Sequence, residues 1–171
     1  MIFINDQLIV EDMNQSNSSY IVKEYLSKSR LVLVNKDEQP MSEEEMNTLL
    51  SDLNGVQKLK AVSTSNLLRD LKQELHLYNK KIEEYIENIR DNGDFSTVNS
   101  GFAQVMEGII EFSAVASFLQ KDLIDPSYLQ QLSEKAFSRA ETGEGEYVLD
   151  IMEYELLPIL NRLYDEIIEE M

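Results

Sequence analysis

Apolar positions along this chain change period near Ser63 to Ser65. Before that point they fall in short strand-like runs, and after it they recur at alternating steps of three and four, which places them on one face of a helix. Leu68, Leu71, Leu75, Tyr78, Ile82, Tyr85 and Ile89 form the clearest such stripe. It predicts a long helix opened by the Ser63-Thr64-Ser65 cap, running to about Arg90 and stopped at Asp91-Asn92-Gly93.

The N-terminal part reads as a small mixed module. Ile2 to Ile4 and Leu8 to Val10 flank Asn5-Asp6, a pair that tolerates left-handed backbone, so a β-hairpin is expected with Phe3 opposite Leu8 and Ile2 opposite Ile9. Both faces of that hairpin are apolar, which predicts cover by helices on both sides. Tyr20, Ile21, Val22, Tyr25 and Leu26 lie at helical spacing behind a serine cap, giving a first helix that ends around Ser29. Leu31 to Val34 is the next strand. In Met41-Ser42-Glu43-Glu44-Glu45-Met46, Ser42 and Glu45 match a capping box, with Met41 and Met46 spaced as its hydrophobic staple. The helix it opens carries Met46, Leu49, Leu50 and Leu53 inward and stops at Asn54-Gly55, after which Val56 to Val62 reads as a fourth strand.

Three further helices are expected after Gly93. The first carries Val98, Phe102, Val105, Ile109, Phe112, Ala116, Leu119 and Leu123, with Met106 and Ile110 widening its stripe. Asp125-Pro126 is a cap followed by a proline at the first helical turn, opening a helix with Tyr128, Leu129, Leu132, Ala136 and Phe137. Beyond the Thr142 to Gly145 loop, Tyr147 to the C-terminus is helical, with Pro158 expected to kink or split it. The expected fold is therefore α+β and mostly helical: a small mixed-sheet module of order β-β-α-β-α-β over residues 1–64, then an antiparallel four-helix bundle over residues 65–171.

Composition narrows the chemistry. At 171 residues and 43% apolar content the chain can bury a core of its own. It has no cysteine, so disulfides, thiolate metal sites and thiol nucleophiles are excluded. Asn5, Asp6 and Gln7 interrupt the N-terminal apolar run, so no export signal is expected and a cytoplasmic location follows. The longest apolar stretch, Gly108 to Leu119, has 12 residues and contains Glu111; a membrane span needs about 20. Formal charge is −17 and uneven: residues 1–64 hold 6 Lys+Arg against 10 Asp+Glu, net −4, and residues 65–171 hold 9 against 22, net −13. Phosphate contacts need clustered Lys and Arg, so a nucleic-acid partner is not expected, whereas a basic partner would be attracted.

Candidate catalytic constellations are few. His76 is the only histidine and lies off the heptad stripe, which suits a surface side chain; no G-x-S-x-G elbow surrounds any serine. A ferritin-like di-iron site needs Glu-x-x-His on two helices and cannot form with one histidine. Carboxylate pairs remain as metal candidates: Glu107 with Glu111, four apart, and Asp150 with Glu153, three apart. Such pairs could bind Mg²⁺, but no phosphate loop accompanies them and exposed helical acids explain the spacing as well. Glu111 stands out because Ile110 and Phe112 flank it, and a buried carboxylate would need a partner. Asp12 to Ser16 and Asp91 to Asp94 resemble calcium loops only in composition and read as turns. Tyr78 and Tyr85 are assigned to packing.

No catalytic residue and no cofactor are expected on this reading. What remains is amphipathic helix surface, so the first expectation is a non-enzymatic cytoplasmic protein that binds another protein, one that is basic or presents an amphipathic helix, as an adaptor, chaperone-like or regulatory factor. Small acidic bundles that hold a partner helix in a groove are the analogy, at the level of fold alone. A carboxylate-dependent metal enzyme using Glu107, Glu111, Asp150 and Glu153 is the alternative. An obligate homodimer that pairs heptad stripes between chains is the third reading.

Overall fold

The computed structural model describes residues 1–11, 17–51, 55–118, 121 and 123–170. The chain divides into two compact units, Met1–Arg69 and Asp70–Met171. It is α+β and mostly helical, with its sheet confined to the first unit.

The first unit is built on strands β1 (Ile2–Ile4), β2 (Gln7–Val10), β3 (Leu31–Val34) and β4 (Gln57–Ser63), in spatial order β2-β1-β4-β3. The sheet is mixed: β1 pairs parallel with β4, and the two outer pairs are antiparallel. Asn5 and Asp6 both take left-handed backbone, φ 50° and 64°, and turn the hairpin tightly. Phe3 faces Leu8, but a register shift places Ile2 opposite Val10 rather than Ile9. Full cover on both faces is also corrected. Ile2 and Ile4 are buried, while Phe3 is half-buried and Leu8 on the opposite side is 45% exposed. Asn5 does more than turn: its amide donates to the Ala61 carbonyl at 2.8 Å and accepts from the Ala61 N–H at 2.9 Å.

Helix α1 (Ser18–Ser29) and helix α2 (Glu43–Ser51) bury Val22, Leu26 and Leu50 in one cluster with Ile2, Ile4, Val10, Leu33 and Ala61. The expected serine cap of α1 is replaced by Asn17, whose side chain makes no capping bond; Tyr20 points to solvent. Arg30 closes α1 in the left-handed region and leads straight into β3. The capping box of α2 forms: the Ser42 N–H donates to Glu45 Oε2 at 2.8 Å, and the Glu45 N–H to Ser42 Oγ at 3.2 Å. Met41 and Met46 pack on the same core. Gly55 takes φ 74° as expected after α2; the Leu53 and Asn54 expectations lie outside the described residues, as does the Asp12 to Ser16 turn.

Helix α3 (Thr64–Asn92) opens with Ser63 Oγ accepting from the Asn66 N–H at 3.1 Å, and closes at Gly93, φ 65°, whose N–H reaches the Ile89 carbonyl. Its heptad stripe faces inward, widened by buried Asn79 and Ile86. Helix α4 (Val98–Phe118) buries Val98, Phe102, Val105, Ile109, Phe112 and Ala116 as expected. Leu123 does not belong to it, lying in the segment before α5; Leu119 is outside the described residues.

Two glycines set how α3 meets α4. A Cβ on Gly108 would collide with the Tyr78 hydroxyl, and one on Gly101 with the Tyr85 hydroxyl. Each step of seven up α3 is matched by seven down α4, so the pair runs antiparallel in heptad register. In each case the hydroxyl meets the residue four before the glycine: Tyr78 donates to the Gln104 carbonyl at 3.0 Å, and Tyr85 meets Oγ1 of Thr97, just ahead of α4, at 3.0 Å.

Helix α5 (Pro126–Glu141) starts as expected, with Asp125 accepting from the Ser127 N–H at 2.9 Å and proline at the first position. Helix α6 (Gly145–Ile151) and helix α7 (Leu157–Glu170) are joined by a π turn, Met152–Leu156, rather than split. There the Leu157 N–H donates to the Met152 carbonyl, five residues back, and the widened turn absorbs Pro158, which has no N–H to give. Asn79 on α3 donates to Asn161 on α7 at 2.8 Å, and Arg90 reaches Asp150 on α6, so these helices also run antiparallel.

Gly108→Ala tests the tyrosine–glycine contact by sign. Alanine outranks glycine by roughly 1 kcal/mol in a free helix, yet here overpacking should make the change destabilising by about 1–3 kcal/mol in urea unfolding. With Tyr78→Leu already present, the same change should be neutral or favourable.

Candidate functional site

The four acids singled out as metal candidates separate into two roles. Asp150 and Glu153 bind Arg90: Nη2 donates to Asp150 at 2.8 Å, Nη1 to Glu153 at 2.5 Å, and Nε to Glu146 at 2.7 Å. The guanidinium is half-buried at the C-terminal end of α3, where the helix dipole favours a cation, and its hydrogen bonds to Glu153 and Glu146 hold its pKa above the ordinary value. Asp150 and Glu153 thus neutralise a fixed positive charge on α3. Glu107 and Glu111 stand on the exposed side of α4. The question of a partner for Glu111 does not arise, because the helix turns it to solvent and Phe112 inward. Among the described residues no three histidine or carboxylate side chains are arranged to hold a metal ion.

His76 is exposed, with its ring 6.0 Å from that of Tyr164. Asp91 to Asp94 form a helix end and a turn in which Asp94 accepts from the Ser96 N–H at 3.0 Å; the Ser96 side chain, and then this backbone bond, hold its carboxyl below the usual range. An open hollow beside α2, lined by Met41, Ser42, Glu44, Glu45, Thr48 and Leu49, includes the polar atoms already used in the capping box.

The unexplained surface lies on α4 itself. This helix holds only two charged residues in 21, Glu107 and Glu111, which share one exposed polar stripe with Ser100 and Gln104. Away from that stripe a helix so poor in charge is ordinarily enclosed. With Gly101 and Gly108 turned to α3, the opposite arc carries Asn99, Ala103, Met106, Ile110, Ala114 and Ser117, none of them charged. Ile110 on this arc is 62% exposed, so it does not widen the buried stripe as expected. Met106 and Ala103 are half-buried and Ala114 is exposed.

Phe137 on α5 continues this apolar surface. Its ring meets that of buried Phe102 edge-on, at 5.9 Å between centroids, yet stays 48% exposed. Phe102 and Met106 are four apart and so share a flank of α4, as do Met106 and Ile110. Exposed acids neighbour Ile110 on α4 and Phe137 on α5. Glu107 is three residues before Ile110 on α4, and on α5 Glu134 and Glu141 lie three before and four after Phe137, all exposed. Gln130 steadies Glu134 through a 3.1 Å bond.

Periodicity missed this surface because two apolar helical arcs, one buried and one open, look alike until the packing partner is known. The signal in the sequence was the scarcity of charge between residues 98 and 118 in a chain of net −17.

Tyr78 makes the electrostatics of Glu107 and Glu111 measurable. Burial, then the charges of Glu111 and Glu107, raise its pKa above 10.0. The folded state therefore keeps a proton that the unfolded chain releases, so this contribution to stability is full below pH 10 and falls as pH rises through the folded value. Unfolding free energy measured from pH 8 to 11.5 should fall less steeply in Tyr78→Phe. Tyr128, raised chiefly by its hydrogen bond to Glu155, should sustain the remaining slope.

No helix among the described residues is long and apolar enough to cross a membrane. No protein-family model, curated protein or solved structure matches the chain.

Proposed function

We propose that this is a non-enzymatic cytoplasmic protein whose task is to bind another protein through the outer face of α4. One observation carries the reading: an uncharged arc of α4 on which Ile110 is 62% exposed, with Ala114 exposed and Ala103 and Met106 partly exposed beside it, in a chain of net −17. Exposed contiguous apolar surface is costly in water and favours aggregation unless a partner covers it. The surrounding acids suit recognition, since charged rims select partners and speed encounter while the apolar centre supplies affinity.

A metal-dependent enzyme draws less support from the same atoms. Asp150 and Glu153 are engaged by Arg90, and Glu107 and Glu111 lie on an exposed helix face. A general acid or base needs a shaped, water-poor site to tune it.

The test compares two exposed aliphatic residues on different helices. Ile110→Asp and Leu77→Asp change side chains that are 62% and 50% exposed, so both variants should keep the wild-type melting temperature. The protein bound stoichiometrically by the wild type in lysate should be lost with Ile110→Asp and retained with Leu77→Asp. Equal retention by both variants would remove α4 as the binding face.

A further inference from the structure

Resting on that reading, we infer that the occupant of the α4 face is an amphipathic helix whose apolar stripe is flanked on both sides by lysine or arginine. Shape and charge both lead there. From Ala103 to Ala114 the uncharged arc spans about 17 Å at 1.5 Å per residue, which is three helical turns. Its apolar side chains recur at steps of three and four, so they form a ridge of the kind that fits the groove of another helix. Phe137 stands beside the Phe102 end of the arc as a second apolar wall.

The flanking charges choose the partner. Glu107 and Glu111 edge the arc on α4, and on α5 the exposed Glu134 and Glu141 lie about one turn to either side of Phe137. A helix docked on Met106 and Ile110 would direct its flanking residues at these carboxylates, where basic side chains would be attracted and acidic ones repelled. A second copy docked antiparallel through the same α4 face would bring Glu107 and Glu111 towards their equivalents. That like-charge approach makes self-association the less favourable cover. Exposed ion pairs contribute little affinity individually, so affinity should rest on Ile110 and Phe137 and selectivity on the glutamates.

The probes are three synthetic peptides of about four turns: one with a leucine stripe flanked by lysine, one with the stripe flanked by glutamate, and one of the lysine peptide's composition in scrambled order. Binding to the full chain is followed by fluorescence anisotropy, and peptide helicity by circular dichroism. The lysine-flanked peptide should bind and gain helix, while the scrambled and glutamate-flanked peptides bind at least tenfold more weakly. Ile110→Asp should weaken the lysine-flanked peptide at least tenfold, and Leu77→Asp should leave it unchanged. Phe137→Gln should weaken it too, and Glu107→Gln with Glu134→Gln should flatten its salt dependence.

Equal binding of the scrambled peptide, or equal effects of Ile110→Asp and Leu77→Asp, would overturn the inference. So would a dimer in sedimentation that Ile110→Asp dissolves, because the occupant would then be a second copy. If no peptide binds but Ile110→Asp still loses the lysate partner, the helical occupant falls and the protein-binding reading stands. If the lysate partner is also indifferent to Ile110→Asp, both fall.

Discussion

Two tyrosines lying over two glycines fix the rotation of α4, and nearly every feature of its surface follows from that constraint. Tyr78 and Tyr85 occupy stripe positions on α3, and their hydroxyls come so close to α4 that a single added carbon at Gly108 or Gly101 would collide with them. Because the two glycines lie seven residues apart, they present one consistent side of α4 to α3. Each hydroxyl then finds a partner, Gln104 on α4 and Thr97 just ahead of it, so the rings sit in the interface without leaving a polar group unpaired. Once that side is fixed, Phe102, Ile109 and Phe112 turn into the core and Met106 and Ile110 turn away from it. The open apolar arc is thus a consequence of close packing on the other side.

Polar contacts supply register where apolar packing alone would allow slippage. Arg90 draws together three carboxylates that would otherwise repel one another, tying the end of α3 to α6 and the π turn. Asn79 and Asn161 mark a second point on the same antiparallel pairing. Asn79 Oδ1 has no hydrogen-bond partner among the described residues, and a buried amide of this kind costs stability while favouring one alignment of the helices over its neighbours. Charge thus has two roles in this unit. A few buried or half-buried groups set alignment, and the exposed acids shape what can approach.

Local chemistry was largely legible in the sequence, because it depends on residues close together in the chain. The Ser42–Glu45 capping box, the Asp125-Pro126 helix start, the Asn5-Asp6 hairpin turn and the Gly93 stop all follow from short-range stereochemistry, and the three-and-four spacing of α3 identified its buried side. What escaped depended on partners distant in sequence. Ile110 belongs to an apolar helix, and only the position of α3 decides that it faces outward. Glu111 suggested burial through its neighbours Ile110 and Phe112, although on a helix adjacent residues point about 100° apart. Pro158 is a helix breaker by local rule, yet the backbone accommodates it by widening one turn. The shift that pairs Ile2 with Val10 is likewise a property of the assembled sheet. The charge-poor stretch on α4 was visible all along, but it acquires meaning only when the helix's inner side is known.

Asn5 has a consequence that concerns time rather than geometry. Its side-chain amide imitates a peptide group, giving and receiving a bond with the Ala61 backbone just beyond the last residue of β1. That imitation needs nitrogen on one arm and oxygen on the other. Hydrolysis of the amide to a carboxylate, the slow spontaneous decay to which asparagine is prone, would set oxygen against the Ala61 carbonyl and turn an attraction into a repulsion. One nitrogen atom thus separates a turn that is tied to β4 from one that is pushed away from it.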